Sequence, residues 1–243
     1  MHSVTRPSFI VAPLFGKGML VAMTRLFPLV LFCLVAPALG QTSFKRVLFL
    51  GNSITKHGPK AELDWSGNWG MAASAEAKDY VHVFTDLLAQ KQGSKPEILV
   101  KNIADFERAH QSYDFAKKLK DAIDFQADLI VLAISENVRA MKTAEEKTQL
   151  QADVTALLKS LEGNHKPVIL VRSCFWSDTA KDGALRGACD AVSGVYVDIS
   201  ALGKDKSHFG KAEREFKHAG VANHPGDKGM AAIAAALMKA LPH

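Results

Sequence analysis

The chain has 243 residues, of which 48% are hydrophobic, 8% aromatic and 23% charged. This length suits one large domain or two small ones, and a mean hydropathy of +0.02 excludes a polytopic membrane protein. The formal charge is +5, but three of the 30 basic residues lie in residues 1–40, which contain no acid. Residues 41–243 therefore carry 27 basic and 25 acidic residues. A charge of +2 gives no reason to expect nucleic-acid binding.

Residues 1–40 are predicted to be a secretory signal peptide, with Met23 as an alternative start. A short positive segment precedes an apolar run at 26–35, and small residues suited to cleavage follow at 36–40. The apolar run is about half the ~20 residues that a membrane-spanning helix needs. An uncleaved N-terminal anchor is the alternative. The sequence thus predicts a secreted or periplasmic protein whose mature domain is 41–243, with no stable membrane span once the signal is removed.

Short apolar runs alternate with helical patterns after the signal. Predicted strands lie at residues 45–51, 97–101, 128–134, 167–171 and 194–198. Predicted helices lie at 76–92, 112–125, 143–163 and 227–241, the third opened by a capping box at Thr143 and Glu146. Apolar strands separated by helices indicate a parallel sheet covered on both faces. We therefore expect a single doubly wound, flavodoxin-like α/β domain with a five-stranded parallel sheet, and functional residues beyond the carboxyl ends of its strands.

Two cysteines, Cys174 and Cys189, lie outside the signal. The first follows the fourth strand at the upper edge of the sheet, and the second lies near the lower edge, on the segment that returns to the fifth strand. A separation of roughly 15 Å exceeds the ~6 Å Cα spacing of a disulfide. Two free, partly buried thiols are therefore predicted. Cys174 as a nucleophile is the weaker alternative, because no histidine has a motif-level link to it.

The first strand leads into a Gly51-Asn52-Ser53 turn. A serine at the tip of a buried strand presents its hydroxyl at the upper edge of the sheet, where a neighbouring base can activate it as a nucleophile. An N-cap or turn serine is the alternative, since such residues are common in strand-to-helix loops. The chain has no Gly-x-Gly-x-x-Gly, Walker or Gly-x-Ser-x-Gly motif.

A histidine and an asparagine complete a candidate catalytic set. His224 lies in an Asn-His-Pro segment just before the final helix, at the same edge of the sheet, where it can accept the Ser53 proton. Asn137 follows the third strand, and its side-chain amide can donate to an oxyanion that develops beside the serine.

These segments together resemble the SGNH (GDSL-like) serine hydrolase family over residues 45–241. The first block, usually Gly-Asp-Ser, reads Gly-Asn-Ser at 51–53; the third, usually Gly-x-Asn-Asp, reads Ser-Glu-Asn-Val at 135–138; and the last, Asp-x-x-His-Pro, reads Val-Ala-Asn-His-Pro at 221–225. The resemblance implies that Ser53 attacks an ester while His224 accepts its proton. It also implies that the Ser53 backbone N–H and Asn137 stabilise the oxyanion.

The second block departs from the family pattern. Asn102 matches, but Glu107 stands near the glycine whose backbone N–H completes the oxyanion hole in the family. Because every residue except proline has a backbone N–H, that donor is expected to remain. The chain thus resembles a divergent branch of the family.

The family's catalytic acid is missing, since Val221 occupies its position. The alternatives are a backbone carbonyl that orients His224, a carboxylate from another loop, or an inactive site. The candidate carboxylates are Glu107, Glu136 and Asp227, although Asp227 is expected to cap the final helix.

An insertion after the first block, Trp65-Ser-Gly-Asn-Trp-Gly70, supplies candidate substrate-binding residues. Tryptophan stacks on sugar or aryl groups through its apolar face. We therefore expect Asn52, Trp69, Gly70 and Trp176 to contact substrate; packing of the indoles against the first helix is the alternative.

No metal or other cofactor is expected, because no His-x3-His or Cys-x2-Cys spacing occurs in the sequence. The predicted function is a secreted serine esterase that removes a small acyl group, such as acetyl, from a carbohydrate. A weakly active or inactive glycan-binding protein of the same fold is the alternative. A phosphate-binding flavodoxin-like module is a third reading, supported by the Gly-Asn-Ser turn alone.

Overall fold

The computed structural model describes residues 43–163 and 166–242; the predicted signal peptide lies outside them. The strands form one sheet and are β1 Arg46–Gly51, β2 Glu97–Asn102, β3 Leu129–Ala133, β4 Val168–Arg172 and β5 Val195–Val197. All neighbouring strands are parallel and lie in the order β2-β1-β3-β4-β5. The protein therefore has the predicted doubly wound α/β fold, and the carboxyl ends of all its strands meet at one edge of the sheet.

Helices cover both faces of this sheet. They are α1 Tyr80–Gln92, α2 Ala104–Ala109, α3 Phe115–Lys118, α4 Lys120–Asp124, α5 Ala144–Leu161, α6 Thr179–Ala191, α7 Ala219–Ala222 and α8 Asp227–Lys239. Helices α1 and α8 pack on one face, against Val47 and Phe49. Helices α5 and α6 pack on the other, against Leu48 and Leu50. Successive residues of β1 are therefore buried on opposite faces, as expected of a central strand in a parallel sheet.

Side-chain caps decide where the helices begin. The predicted capping box is present: the Thr143 side chain accepts from the Glu146 backbone, and the Glu146 side chain accepts from the Thr143 backbone. The predicted helix from residue 76 begins later, at Tyr80, because Asp79 caps it by accepting from the His82 N–H.

The single helix predicted at 112–125 is wrong. The segment instead holds a 3₁₀ turn at His110–Ser112 and the short helices α3 and α4. Tyr113 is extended and Asp114 caps α3 through the Lys117 N–H, so the chain restarts its helix within this segment. Helix α2, which carries Glu107, was not predicted.

Both cysteines of the described segment are free and buried, as predicted. Burial raises the pKa of the Cys174 thiol, which keeps it protonated and excludes it as a ready nucleophile. Within residues 43–163 and 166–242, no helix has the length and apolar character needed to cross a membrane.

Candidate active site

The turn after β1 holds Ser53 at the upper edge of the sheet. Gly51 is required there, because a Cβ atom would lie 1.8 Å from the Thr55 hydroxyl oxygen and 2.9 Å from the Ala133 carbonyl oxygen. Asn52 follows and is fully buried; its Oδ1 accepts from the Ile54 N–H over 3.1 Å. This Asx turn fixes the backbone on both sides of Ser53.

His224 contacts Ser53 directly. Its Nε2 atom lies 2.8 Å from the Ser53 Oγ, and its Nδ1 atom lies 2.7 Å from the Gly220 carbonyl oxygen. A carbonyl oxygen can only accept, so Nδ1 carries the proton and Nε2 of the neutral ring accepts from the serine hydroxyl. This is the tautomer that general-base activation of a serine requires.

Val221, at the position of the family's acid, is 1% exposed. It belongs to an apolar cluster with Trp65, Met71 and Ala72. The residue therefore has an apolar packing role, and the Gly220 backbone carbonyl contacts the His224 ring nitrogen instead.

Asp227 does not cap the final helix, contrary to the prediction. Its carboxylate accepts from the N–H and the hydroxyl of Ser74, over 2.7 and 2.5 Å. The carboxylate of Glu213 instead accepts from the first two N–H groups of α8, those of Asp227 and Lys228, both over 2.7 Å. Asp227 therefore ties the loop after β1 to α8.

Glu107 is 1% exposed and holds two segments of the site together. Its Oε1 accepts from the Asn52 side chain over 3.0 Å and from the Ser135 N–H over 2.5 Å. Its Oε2 accepts from the Asn137 Nδ2 over 2.5 Å. The carboxylate thus fixes the rotamer of the amide predicted to be an oxyanion donor.

Glu136 belongs to the same buried network. Its Oε2 accepts from the Asn52 Nδ2 over 2.6 Å, and its Oε1 accepts from the Arg172 Nη1 over 2.6 Å and from the Phe175 N–H over 3.0 Å. The side chain of Arg172 is completely buried. Asn52 thus donates both amide hydrogens to carboxylates behind the site, and its amide has a structural role there instead of the substrate contact predicted for it.

Neither glutamate is hydrogen-bonded to His224. Both were candidate acids, and sequence reasoning saw no structural role for them. The structure gives each carboxylate at least three hydrogen-bond donors, so both have a structural role in this network.

The surroundings shift the pKa values of two groups in opposite directions. Burial lowers the pKa of His224, and the hydrogen bond to the Gly220 carbonyl offsets only part of this. Burial also raises the pKa of the Glu107 carboxyl, with a further contribution from the negative charge of Glu136. At neutral pH the His224 ring is therefore a neutral base.

Two donors are placed for an oxyanion. The Ser53 N–H has no hydrogen-bond partner within the described segments, and the Asn137 Nδ2 keeps one hydrogen beyond the one given to Glu107. The Glu107 N–H was expected to be a third donor. It instead donates to the Ile103 carbonyl over 3.4 Å at the start of α2, so this donor is used inside the helix.

Ser135 shows how the third block departs from the family's usual glycine. Its φ is +95°, in the left-handed region that favours glycine. Its hydroxyl is buried with no partner in the part of the chain that the structure describes. Serine therefore occupies a backbone conformation for which glycine is the favoured residue.

A cavity of about 550 Å³ opens beside Ser53 and His224, a volume that suits a small-molecule ligand. Its lining includes Asn137 and the side chains of His57, Lys60, Leu63, Met71, Asn102, Asp105, Arg108 and His218. Sequence reasoning missed Lys60, Arg108, His57 and His218. The sequence offered one indication of these residues, which is that they lie close in the chain to the four family-like motifs. Closeness in the chain does not tell which way a side chain points.

The three other candidate substrate-binding residues lie outside this cavity. Trp69 packs edge-on against Trp65, with ring centroids 5.7 Å apart, and donates to the Ala73 carbonyl over 3.0 Å. Gly70 is buried, and a Cβ there would lie 2.6 Å from a backbone oxygen. Trp69 instead lines a second groove of about 580 Å³, together with Phe216.

Trp176 lies against His224. The two rings are 5.4 Å apart and nearly perpendicular, and 37% of the Trp176 surface is exposed. The indole thus covers part of the imidazole.

Two solved structures are similar to this chain. One is a two-domain esterase active on acetylated mannans, co-crystallised with mannopentaose; it has a TM-score of 0.53 and 14% identity, over 80% of this chain and 48% of that chain. The other is a family two carbohydrate esterase from Cellvibrio japonicus, with a TM-score of 0.44 and 17% identity, over 80% of this chain and 59% of that chain. No family model and no curated protein matches the chain. The structural neighbours are thus carbohydrate esterases. This chain spans about half the length of the first one, and the likeness concerns the fold.

Proposed function

We propose that the protein is a serine esterase that removes a small acyl group, such as acetyl, from a carbohydrate, and that it acts after export from the cytoplasm. The observation that carries the proposal is the pair of contacts made by His224: 2.8 Å to the Ser53 Oγ and 2.7 Å to the Gly220 carbonyl. This geometry fits a Ser-His dyad with a backbone carbonyl in place of the acid.

In the proposed reaction, the Ser53 Oγ attacks the ester carbonyl carbon as His224 takes its proton. The carbonyl oxygen becomes the oxyanion, and the Ser53 N–H and Asn137 Nδ2 donate to it. When the intermediate collapses, the carbon–oxygen bond to the sugar breaks and His224 gives its proton to the departing sugar oxygen. Water, activated by His224, then releases the acid from the acyl-enzyme and restores Ser53.

Labelling with a fluorophosphonate, together with hydrolysis of a small aryl acetate, tests this proposal. The expected result is stoichiometric labelling at Ser53 and measurable hydrolysis by the native chain, with both lost in Ser53→Ala. Ser94→Ala is a matched control, because Ser94 is exposed and lies before β2; it should keep both. Absence of labelling and of hydrolysis in a folded native chain would instead favour the inactive glycan-binding protein.

A further inference from the structure

Apart from its histidines, the Ser53 cavity is lined by three ionisable side chains, those of Lys60, Asp105 and Arg108. The single acid among them is already neutralised: Asp105 Oδ2 lies 2.6 Å from the Lys118 ammonium. Its Oδ1 accepts from the Phe106 N–H over 3.0 Å. Asp105 therefore does not balance the two cations that share the cavity with it.

Neither cation has a carboxylate partner among residues 43–163 and 166–242. Lys60 is exposed and its ammonium makes no hydrogen bond in this part of the chain. The Arg108 Nη2 touches only the Asn137 Oδ1, over 3.5 Å. Lys118 and Lys217, by contrast, are paired with Asp105 and Asp64.

The buried carboxylates behind the cavity wall cancel only part of the charge of Lys60 and Arg108. Glu136 is paired with Arg172, and both Glu107 oxygens already accept hydrogen bonds from buried donors. Taking these three buried groups together with Lys60 and Arg108, positive charge still exceeds negative charge by one. The excess lies on the cavity side, where a ligand can reach it.

We propose that this cavity selects the ester of an anionic carbohydrate, with Arg108 and Lys60 binding the anionic group. The inference rests on the proposed function and names its substrate class. A guanidinium offers two parallel N–H donors that match a carboxylate or sulfate, and an ammonium adds a point charge. Because Arg108 touches Asn137, the anionic group is held close to the ester that Ser53 attacks. Neutral acetylated glycans lack a group that uses these cations.

Three sugars that carry acetyl on the same hydroxyl test the proposal: a methyl glucuronide, the matched methyl glucoside, and that glucoside as its 6-sulfate. We expect kcat/KM to be at least about tenfold higher for an anionic sugar than for the glucoside, since charge-assisted hydrogen bonds discriminate by roughly this factor or more. Preference for the glucuronide alone identifies a carboxylate site, and equal preference for the sulfate identifies a general anion site. The ratio should fall as salt is raised, because cations this exposed are screened.

Lys60→Gln and Arg108→Gln should each bring the anionic-to-neutral ratio of kcat/KM toward one. Lys78→Gln, which removes an exposed cation outside the cavity, should leave the ratio as in the native chain. If the native enzyme hydrolyses the glucoside as well as the glucuronide, the anionic selectivity is wrong and the esterase proposal stands. If either cavity variant lowers the rates for all three sugars equally, the cation serves the oxyanion and the inference also fails. If no sugar is hydrolysed and Ser53 is not labelled, both proposals fall together.

Discussion

The Nδ1 atom of His224 lies 2.7 Å from the carbonyl oxygen of Gly220, four residues earlier in the chain. Val221 lies between them in the chain, at the position where the resemblance led us to expect a catalytic aspartate. A backbone carbonyl fixes the tautomer and orientation of the ring as a carboxylate does. It carries no full charge, however, and stabilises an imidazolium less. The pH dependence of the reaction is therefore a direct test of this arrangement.

The acid limb of the pH–rate profile should lie below pH ~6.5, the ordinary pKa of histidine. His224 must be neutral to accept the Ser53 proton, and burial lowers its pKa. At pH 6.5 most of the His224 rings are therefore still neutral, and activity should be lost only at a lower pH. Measuring kcat/KM for a neutral ester from pH 4 to 8 checks this; an inflection above pH 7 would contradict it.

Replacing Trp176 should move the same inflection upward. The indole packs edge-on against His224 with ring centroids 5.4 Å apart, and its removal lets water reach the imidazole. Less burial favours the charged ring, so the pKa should rise toward its ordinary value in Trp176→Ala. Trp176→Phe keeps an aromatic ring at the position and should shift the profile less. A profile unchanged in both variants would show that the indole does not control hydration of His224.

Glu107→Gln should lower kcat about a hundredfold while KM changes much less. The amide of the new glutamine can take two orientations. In one its NH₂ group faces the Asn137 Nδ2 donor, and in the other it faces the donors of Asn52 and Ser135, so a donor meets a donor in both. Asn137 is then displaced from the oxyanion, and loss of one such donor costs about 10²–10³ in turnover.

Steady-state kinetics and thermal unfolding of that variant separate this role from a purely structural one. Glu97→Gln, at an exposed position at the start of β2, is the matched control and should keep native kcat. A native kcat in a well-folded Glu107→Gln protein would show that Glu107 does not position the oxyanion donor.

Arg172→Met should reduce the free energy of unfolding by about 3–5 kcal/mol, because it leaves the Glu136 carboxylate buried without its cation. Adding Glu136→Gln to this variant should recover part of the loss, since the uncompensated charge is then removed. Lys95→Met breaks an exposed pair with Asp86 and should cost about 1 kcal/mol or less. Urea unfolding of the four proteins measures these differences; equal losses in Arg172→Met and Lys95→Met would contradict the argument.

Local patterns in the sequence were sufficient for the fold. Five apolar runs predict the five strands, since a parallel sheet covered on both faces must be apolar along each strand. The Thr143–Glu146 capping box was predicted because its partners are three residues apart. Asp79 and Asp114 cap helices at residues that the sequence patterns did not indicate, so the predicted boundaries of those helices differ from the observed ones.

The sequence by itself also determined that Ser53, Asn137 and His224 would stand at one edge of the sheet, because Ser53 and Asn137 follow strands and His224 directly precedes the final helix. Only the tertiary structure decided what holds them. Glu107 reaches Asn52 across 55 residues and Asn137 across 30, and such pairings leave no local pattern. The partner of His224 was hidden for another reason: a backbone carbonyl is present at every residue, so only the folded geometry shows that the one at Gly220 is within hydrogen-bond distance.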